Sequence, residues 1–178
     1  MKALLAGVVV SLALAAPAFA ALKAGAVAPD FTTKAALGGQ EMTFSLKDAL
    51  KKGPVVLYFF PAAFTPGCTA EAHAFAEATD DFKKQGATLI GVTAGNIDRV
   101  AEFSKVECRD KFAVAADPGR KISDLYDSKL APKPEWSDRT SYVIGKDGKI
   151  AYAYTDQNPA DHVKNTMAAV MALKGAKG

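Results

Sequence analysis

Six apolar residues run unbroken from Val55 to Phe60 (VVLYFF) between Gly53-Pro54 and Pro61, the pattern of a short strand buried on both faces. A helix is predicted from about Pro66 to Gln85. Its apolar positions Phe75, Ala78 and Phe82 recur at i, i+3 and i+7, Lys83 and Lys84 suit its negative end, and Gly86 can close it. Thr88 to Thr93 (TLIGVT) reads as a second buried strand, after which Asn96 is expected to cap a helix that turns Val100, Phe103 and Val106 toward the core. A brief third strand is expected over Phe112 to Ala116, then a short helix marked by Ile122, Leu125 and Tyr126. Ser141 to Ile144 and Lys149 to Tyr154 form strands joined through Lys146-Asp147-Gly148, a hairpin signal, with Ile150, Tyr152 and Tyr154 alternating. In the closing helix Asn158 is the cap, Pro159 takes the first position, and Val163, Met167, Val170 and Met171 supply the apolar stripe. Thr43 to Leu46 is read as an added outer strand before a short Ser45 to Leu50 helix.

Strands alternating with helices define an α/β layer with a mixed central sheet flanked by helices. A βαβ unit followed by a hairpin and a closing helix is the thioredoxin-like arrangement. The first twenty residues stand apart: Lys2, an apolar run from Ala3 to Leu14, then small residues ending in Ala18-Phe19-Ala20. That is a signal peptide pattern, too short to span a bilayer. The mature chain is expected to begin near Ala21, to form one domain over 21–178, and to be exported, to the periplasm in a two-membrane bacterium.

Composition narrows the classes further. The net charge of +3 falls to +2 without Lys2 and is scattered, which argues against a nucleic-acid or membrane-surface partner. With two cysteines, Cys68 and Cys108, the chain can make one internal disulfide and no other. Two histidines, His73 and His162, read as solvated helix residues, and neither a metal site nor a bound cofactor is expected.

Cys68 carries the chemistry. With Thr65 as N-cap and Pro66 as first helical residue, Cys68 falls in the first turn, where backbone N–H groups have no intrahelical partner. Those donors and the helix dipole favour a thiolate, the reactive form of cysteine. The bland alternative is an inert buried thiol. Glu71, three residues on, is either an ordinary acid favoured near a helix start or a group that orients an arginine. Trp136, the only tryptophan, is expected to cover the core edge rather than line an approach to the thiol.

Pro61, Thr65 and Cys68 make P-x-x-x-T-x-x-C, which strongly resembles the peroxiredoxin family of thiol peroxidases. "APDF" at 28–31, "GVTAGNIDRVAEF" at 91–103 and "DRTSYVIGKDGKI" at 138–150 are similar to that family's segments, and "TPGCTAEA" points to its bacterioferritin-comigratory (Q-type) branch. The resemblance covers nearly all of residues 25–173. It implies a peroxidatic Cys68, an Arg139 guanidinium beside it, Pro61 shielding the sulfur, and Thr65 exchanging hydrogen bonds with the peroxide. Arg139 read without it is a solvated residue at a strand entrance. The implied partners are a hydroperoxide substrate and a thioredoxin-like or small-thiol reductant, with the protein a monomer or dimer.

The chain departs from its branch at one point. Many Q-type members carry a resolving cysteine five residues after the first, where this chain has His73. Cys108 is then the internal candidate, about 80° around a continuing helix from Val100 and so at the margin of its apolar face. An internal Cys68–Cys108 cycle, resolution by an outside thiol, and a permanent structural bridge are the open readings, the first favoured, and the cycle is expected to need local unwinding. A disulfide reductase would need C-x-x-C, and an exported copper chaperone C-x-x-x-C with a nearby histidine. Thr69, Ala70, Glu71 and Ala72 supply neither, leaving a non-enzymatic binding domain as the remaining rival.

Overall fold

The computed structural model describes residues 21–131 and 133–175, so the signal peptide expected over 1–20 lies outside the described residues. Seven strands form one mixed sheet: β1 (Thr32–Leu37), β2 (Gln40–Ser45), β3 (Val55–Phe59), β4 (Thr88–Thr93), β5 (Ala113–Ala116), β6 (Thr140–Ile144) and β7 (Ile150–Thr155). Their order is β2-β1-β5-β4-β3-β6-β7. β3, β4 and β5 are mutually parallel, and β1, β2, β6 and β7 add antiparallel pairs on the flanks. Among the described residues five α-helices cover the faces: α1 (Leu46–Lys52), α2 (Pro66–Lys84), α3 (Val100–Val106), α4 (Lys121–Leu125) and α5 (His162–Gly175). The α/β architecture with a mixed central sheet is the one expected.

The central strand explains why two cores form. Successive side chains of a strand point to opposite faces, and every residue of β3 is buried. Val55, Leu57 and Phe59 join Leu46, Ala49, Ile122 and Tyr126 on one side. Val56, Tyr58 and Phe60 join Phe75, Phe82, Phe103 and Val170 on the other, together with both cysteines. Both faces of the sheet are therefore buried along the whole of β3, up to the turn that leads into α2.

Several details differ from expectation. β1 was not anticipated, and β2 is longer than Thr43 to Leu46; the two pair through Gly38 and Gly39, both at positive φ. Asn96 does not cap a helix with its side chain. It sits at φ 53, opens a single 3-10 turn over Ile97–Arg99, and α3 starts only at Val100. α3 is thus a short helix, and Val106 is 53% exposed instead of facing the core. Leu125 and Met171 are likewise exposed, and the buried face of α5 is His162, Thr166 and Val170. His162 is fully buried, contrary to its reading as a solvated residue.

Candidate active site

The turn from β3 into α2 is built by hydrogen bonds from the next βα connection. Thr93 Oγ1 donates to the Pro61 carbonyl (3.1 Å), Ala63 N–H to the Gly95 carbonyl (3.2 Å), and Asn96 Nδ2 to the Ala63 carbonyl (2.8 Å). A Cβ on Gly95 would lie 2.5 Å from the Pro61 carbonyl oxygen, so only glycine permits this close approach. Phe64 sits at φ 63, a conformation costly for a bulky residue. Its ring packs edge-on against Phe103 (5.2 Å between centroids) under the Arg99 guanidinium (3.8 Å). Pro61 is buried, and Thr65, the N-cap residue of α2, is half-buried. The Thr65 hydroxyl does not cap the helix: it donates back to the Ala62 carbonyl at 3.0 Å. Thr69 N–H is the first to close a helical bond, onto the Thr65 carbonyl, which leaves the Gly67 and Cys68 amides outside the helical ladder.

Cys68 is 1% exposed and Arg139, just ahead of β6, is 4% exposed. The guanidinium is held on three sides. Nε donates to the Gln157 carbonyl (3.0 Å), Nη1 donates to Glu71 Oε2, and Nη2 donates to Cys68 Sγ at 3.5 Å. Gly67 makes room for it, since a Cβ there would stand 3.1 Å from Nη2. Glu71 is fully buried, and burial pushes its carboxyl up to about 8 against the opposing pull of Arg139. Arg139 is pushed above its ordinary value by Glu71 and Cys68, which outweigh the opposing effect of burial.

His162 belongs to the same cluster, although its sequence context read as surface. Nδ1 lies 2.8 Å from Ser141 Oγ and 3.6 Å from Glu71 Oε1, and Nε2 lies 2.9 Å from the Asp156 carbonyl. Its spacing to Thr166 and Val170, four and eight residues on, was the available signal. Trp136 is half-buried, with the Lys133 ammonium 3.8 Å from its ring.

Cys108 stands differently from expectation. α3 ends at Val106, so the helical projection that put Cys108 at the edge of an apolar face does not apply. Instead Cys108 is fully buried in the core that also holds Cys68, and burial raises its thiol well above the ordinary range, with Glu107 adding to the effect. Both cysteines are free. The chain on either side of Cys108 is fastened to α2 by three pairs: His73 Nε2 with Glu107 Oε2 (2.6 Å), Arg109 Nη1 with Glu77 Oε1 (3.2 Å), and Lys111 Nζ with Asp80 Oδ2 (3.1 Å). Arg109 and Asp110 are both at positive φ, 52 and 58.

A buried sulfur at a helix mouth with a guanidinium against it is an arrangement for nucleophilic thiol chemistry. Residues 24–153 match the AhpC/TSA family. The chain belongs to that peroxiredoxin family. It is 35% identical over 157 residues to the chloroplastic peroxiredoxin Q of Triticum aestivum, covering 84% of this chain and 67% of that one. With the chloroplastic peroxiredoxin Q of Sedum lineare the identity is 32% over 164 residues, covering 88% and 82%. Among solved structures, the peroxidoxin BcpB of Mycobacterium tuberculosis superposes with a TM-score of 0.76 at 27% identity, covering 85% of this chain and 97% of that one. As a peroxiredoxin this protein is a thiol-dependent peroxidase.

Proposed function

We propose that Cys68 is the peroxidatic residue and that Arg139, Thr65, Pro61 and Glu71 form its site. The observation that carries this is Cys68 Sγ at 3.5 Å from Arg139 Nη2 in the first turn of α2. In the reaction the thiolate attacks one peroxide oxygen, an S–O bond forms as the O–O bond breaks, and the departing oxygen takes a proton to leave as water or an alcohol. The sulfur loses two electrons and the peroxide gains them, leaving a sulfenic acid. Arg139 and the free amides of the first turn stabilise charge on the departing oxygen, while Glu71 and the Gln157 carbonyl hold the guanidinium in place. Buried Pro61 keeps water from the sulfur, and the Thr65 hydroxyl, turned from Ala62, exchanges hydrogen bonds with the peroxide.

The sulfenic acid then condenses with the Cys108 thiol, releasing water and forming a disulfide that an external thioredoxin-like or small-thiol reductant reopens. In this reading the closure proceeds by loosening of the 107–111 segment from α2. The burial of Cys108 and those three contacts favour a second reading, in which an outside thiol resolves Cys68 directly. Export from the cell, on the pattern of residues 1–20, sets this chemistry in an oxidising compartment. Adding one equivalent of hydrogen peroxide to reduced protein and weighing it intact separates the two: loss of two hydrogens supports the internal disulfide, and a stable gain of one oxygen rules it out. In Cys108→Ser the first oxidation persists and the disulfide is lost.

A further inference from the structure

Four ionisable groups share one buried spot: Cys68, Glu71, Arg139 and His162, each at most 4% exposed. Arg139 is permanently cationic, and it touches two groups that can be anionic, Cys68 Sγ and Glu71 Oε2. One cation balances one buried anion, and a second would stand uncompensated away from water. While Cys68 is a thiolate, Glu71 is therefore the group that must be neutral. Once the sulfur is oxidised and uncharged, Arg139 needs Glu71 as its counter-ion. The two ionise in opposition.

The geometry shows where the proton is kept. Glu71 Oε1 has no hydrogen-bond partner among the described residues, and it faces His162 Nδ1 at 3.6 Å. His162 Nε2 is 2.9 Å from the Asp156 carbonyl, which can only accept, so Nε2 carries its own hydrogen. Nδ1 is left free to bind or release a second proton. Ser141 Oγ, 2.8 Å from it, serves both forms, donating to the bare nitrogen and accepting from the protonated one. The imidazole is faced by the Tyr154 ring of β7 at 4.8 Å, by the Asp156 and Asp161 carboxylates, which favour its protonation, and by Arg139, which opposes it. Tyr58, close to Glu71 and Cys68, is held neutral by burial. Burial raises Glu71 and lowers His162, so the proton rests on the carboxyl with the imidazole as its neighbour.

We propose that Glu71 and His162 form a proton store that is filled while Cys68 is a thiolate and emptied as Cys68 is oxidised. The proposal rests on the peroxidatic reading of Cys68. Converting a thiolate and a hydroperoxide to a sulfenic acid and an alcohol consumes one proton; the store supplies one, and it refills when a reductant restores the thiolate. Glu71 thus does more than orient Arg139, and His162 is a positioning residue acting through it.

The test is an infrared difference spectrum of the whole protein, peroxide-oxidised minus reduced, near neutral pH, with the same sample weighed to measure Cys68 oxidation. Oxidation should remove the carbonyl band of one protonated carboxylic acid. The band should shift in heavy water, be missing in Glu71→Gln, and move in frequency in His162→Gln. Cys68 oxidised with no such band lost overturns the proposal, and the wild-type measurement decides this even if the Glu71 variant does not fold. A band unmoved in His162→Gln removes His162 from the store. A sulfur that resists peroxide contradicts the peroxidatic reading instead.

Discussion

Replacing Arg139 with lysine keeps the charge and removes the shape. The guanidinium reaches the Gln157 carbonyl, Glu71 and Cys68 through three different nitrogens. An ammonium is a single point charge and cannot hold both Glu71 and the sulfur at those positions. If lysine stays with Glu71, the donor at Cys68 Sγ is lost, and removing one donor from a centre where charge develops typically costs 10²–10³ in rate, about 3–4 kcal/mol. Gly67→Ala is a graded companion. Its Cβ would stand 3.1 Å from Nη2, so the guanidinium must give by a few tenths of an ångström, and the expected loss is roughly several-fold. The assay is the second-order rate of Cys68 oxidation by hydrogen peroxide under single-turnover conditions, in which reduction plays no part. Arg139→Lys within about threefold of wild type would refute the bridging role, as would Gly67→Ala losing more than Arg139→Lys.

Three further outcomes are expected. Glu77→Gln with Asp80→Asn loosens two of the three pairs holding the Cys108 segment, so disulfide closure after sulfenate formation should quicken by roughly two- to five-fold with the first step unchanged. Unchanged or slower closure, followed by rapid quench and mass, would show that the segment does not gate resolution. Glu71 is raised in the folded state from 4.5 to about 8, so its contribution is full below about 4.5 and is lost as pH rises through about 8; thermal stability should fall across that window, and a Glu71→Gln variant showing the same slope would contradict this. Tyr58 is fully buried, with no hydrogen-bond partner for its hydroxyl among the described residues. Tyr58→Phe should therefore stabilise by about 1–2 kcal/mol and raise Tm by several degrees, whereas a lower Tm would mean the hydroxyl has a partner.

Much of the fold was readable because the decisive signals are local. The VVLYFF run, the Phe75, Ala78, Phe82 spacing and the Lys146-Asp147-Gly148 turn each specify an element without knowledge of its neighbours, and their order specifies the layers. β1 escaped, and β2 was read only over its second half, because the two form a flanking hairpin on which most positions face solvent, so that no apolar run marks them. Cys108 was misplaced for a different reason. A helical projection holds only while the helix continues, and the chain leaves α3 at Val106 and passes through left-handed conformations at Arg109 and Asp110. His162 illustrates the limit at the site itself. A histidine opening a helix resembles a solvated residue until the fold sets α5 beside α2, where its partners are Glu71, 91 positions earlier, and Ser141 on β6.

The most direct measurement is the rate at which hydrogen peroxide oxidises Cys68, set beside free cysteine at the same pH, with a sulfenate trap to locate the product. Positioning and charge stabilisation together require Cys68 to react faster by ~10³-fold or more and to carry the trapped oxygen. A rate no greater than that of free cysteine, or oxidation falling first on Cys108, would contradict the account.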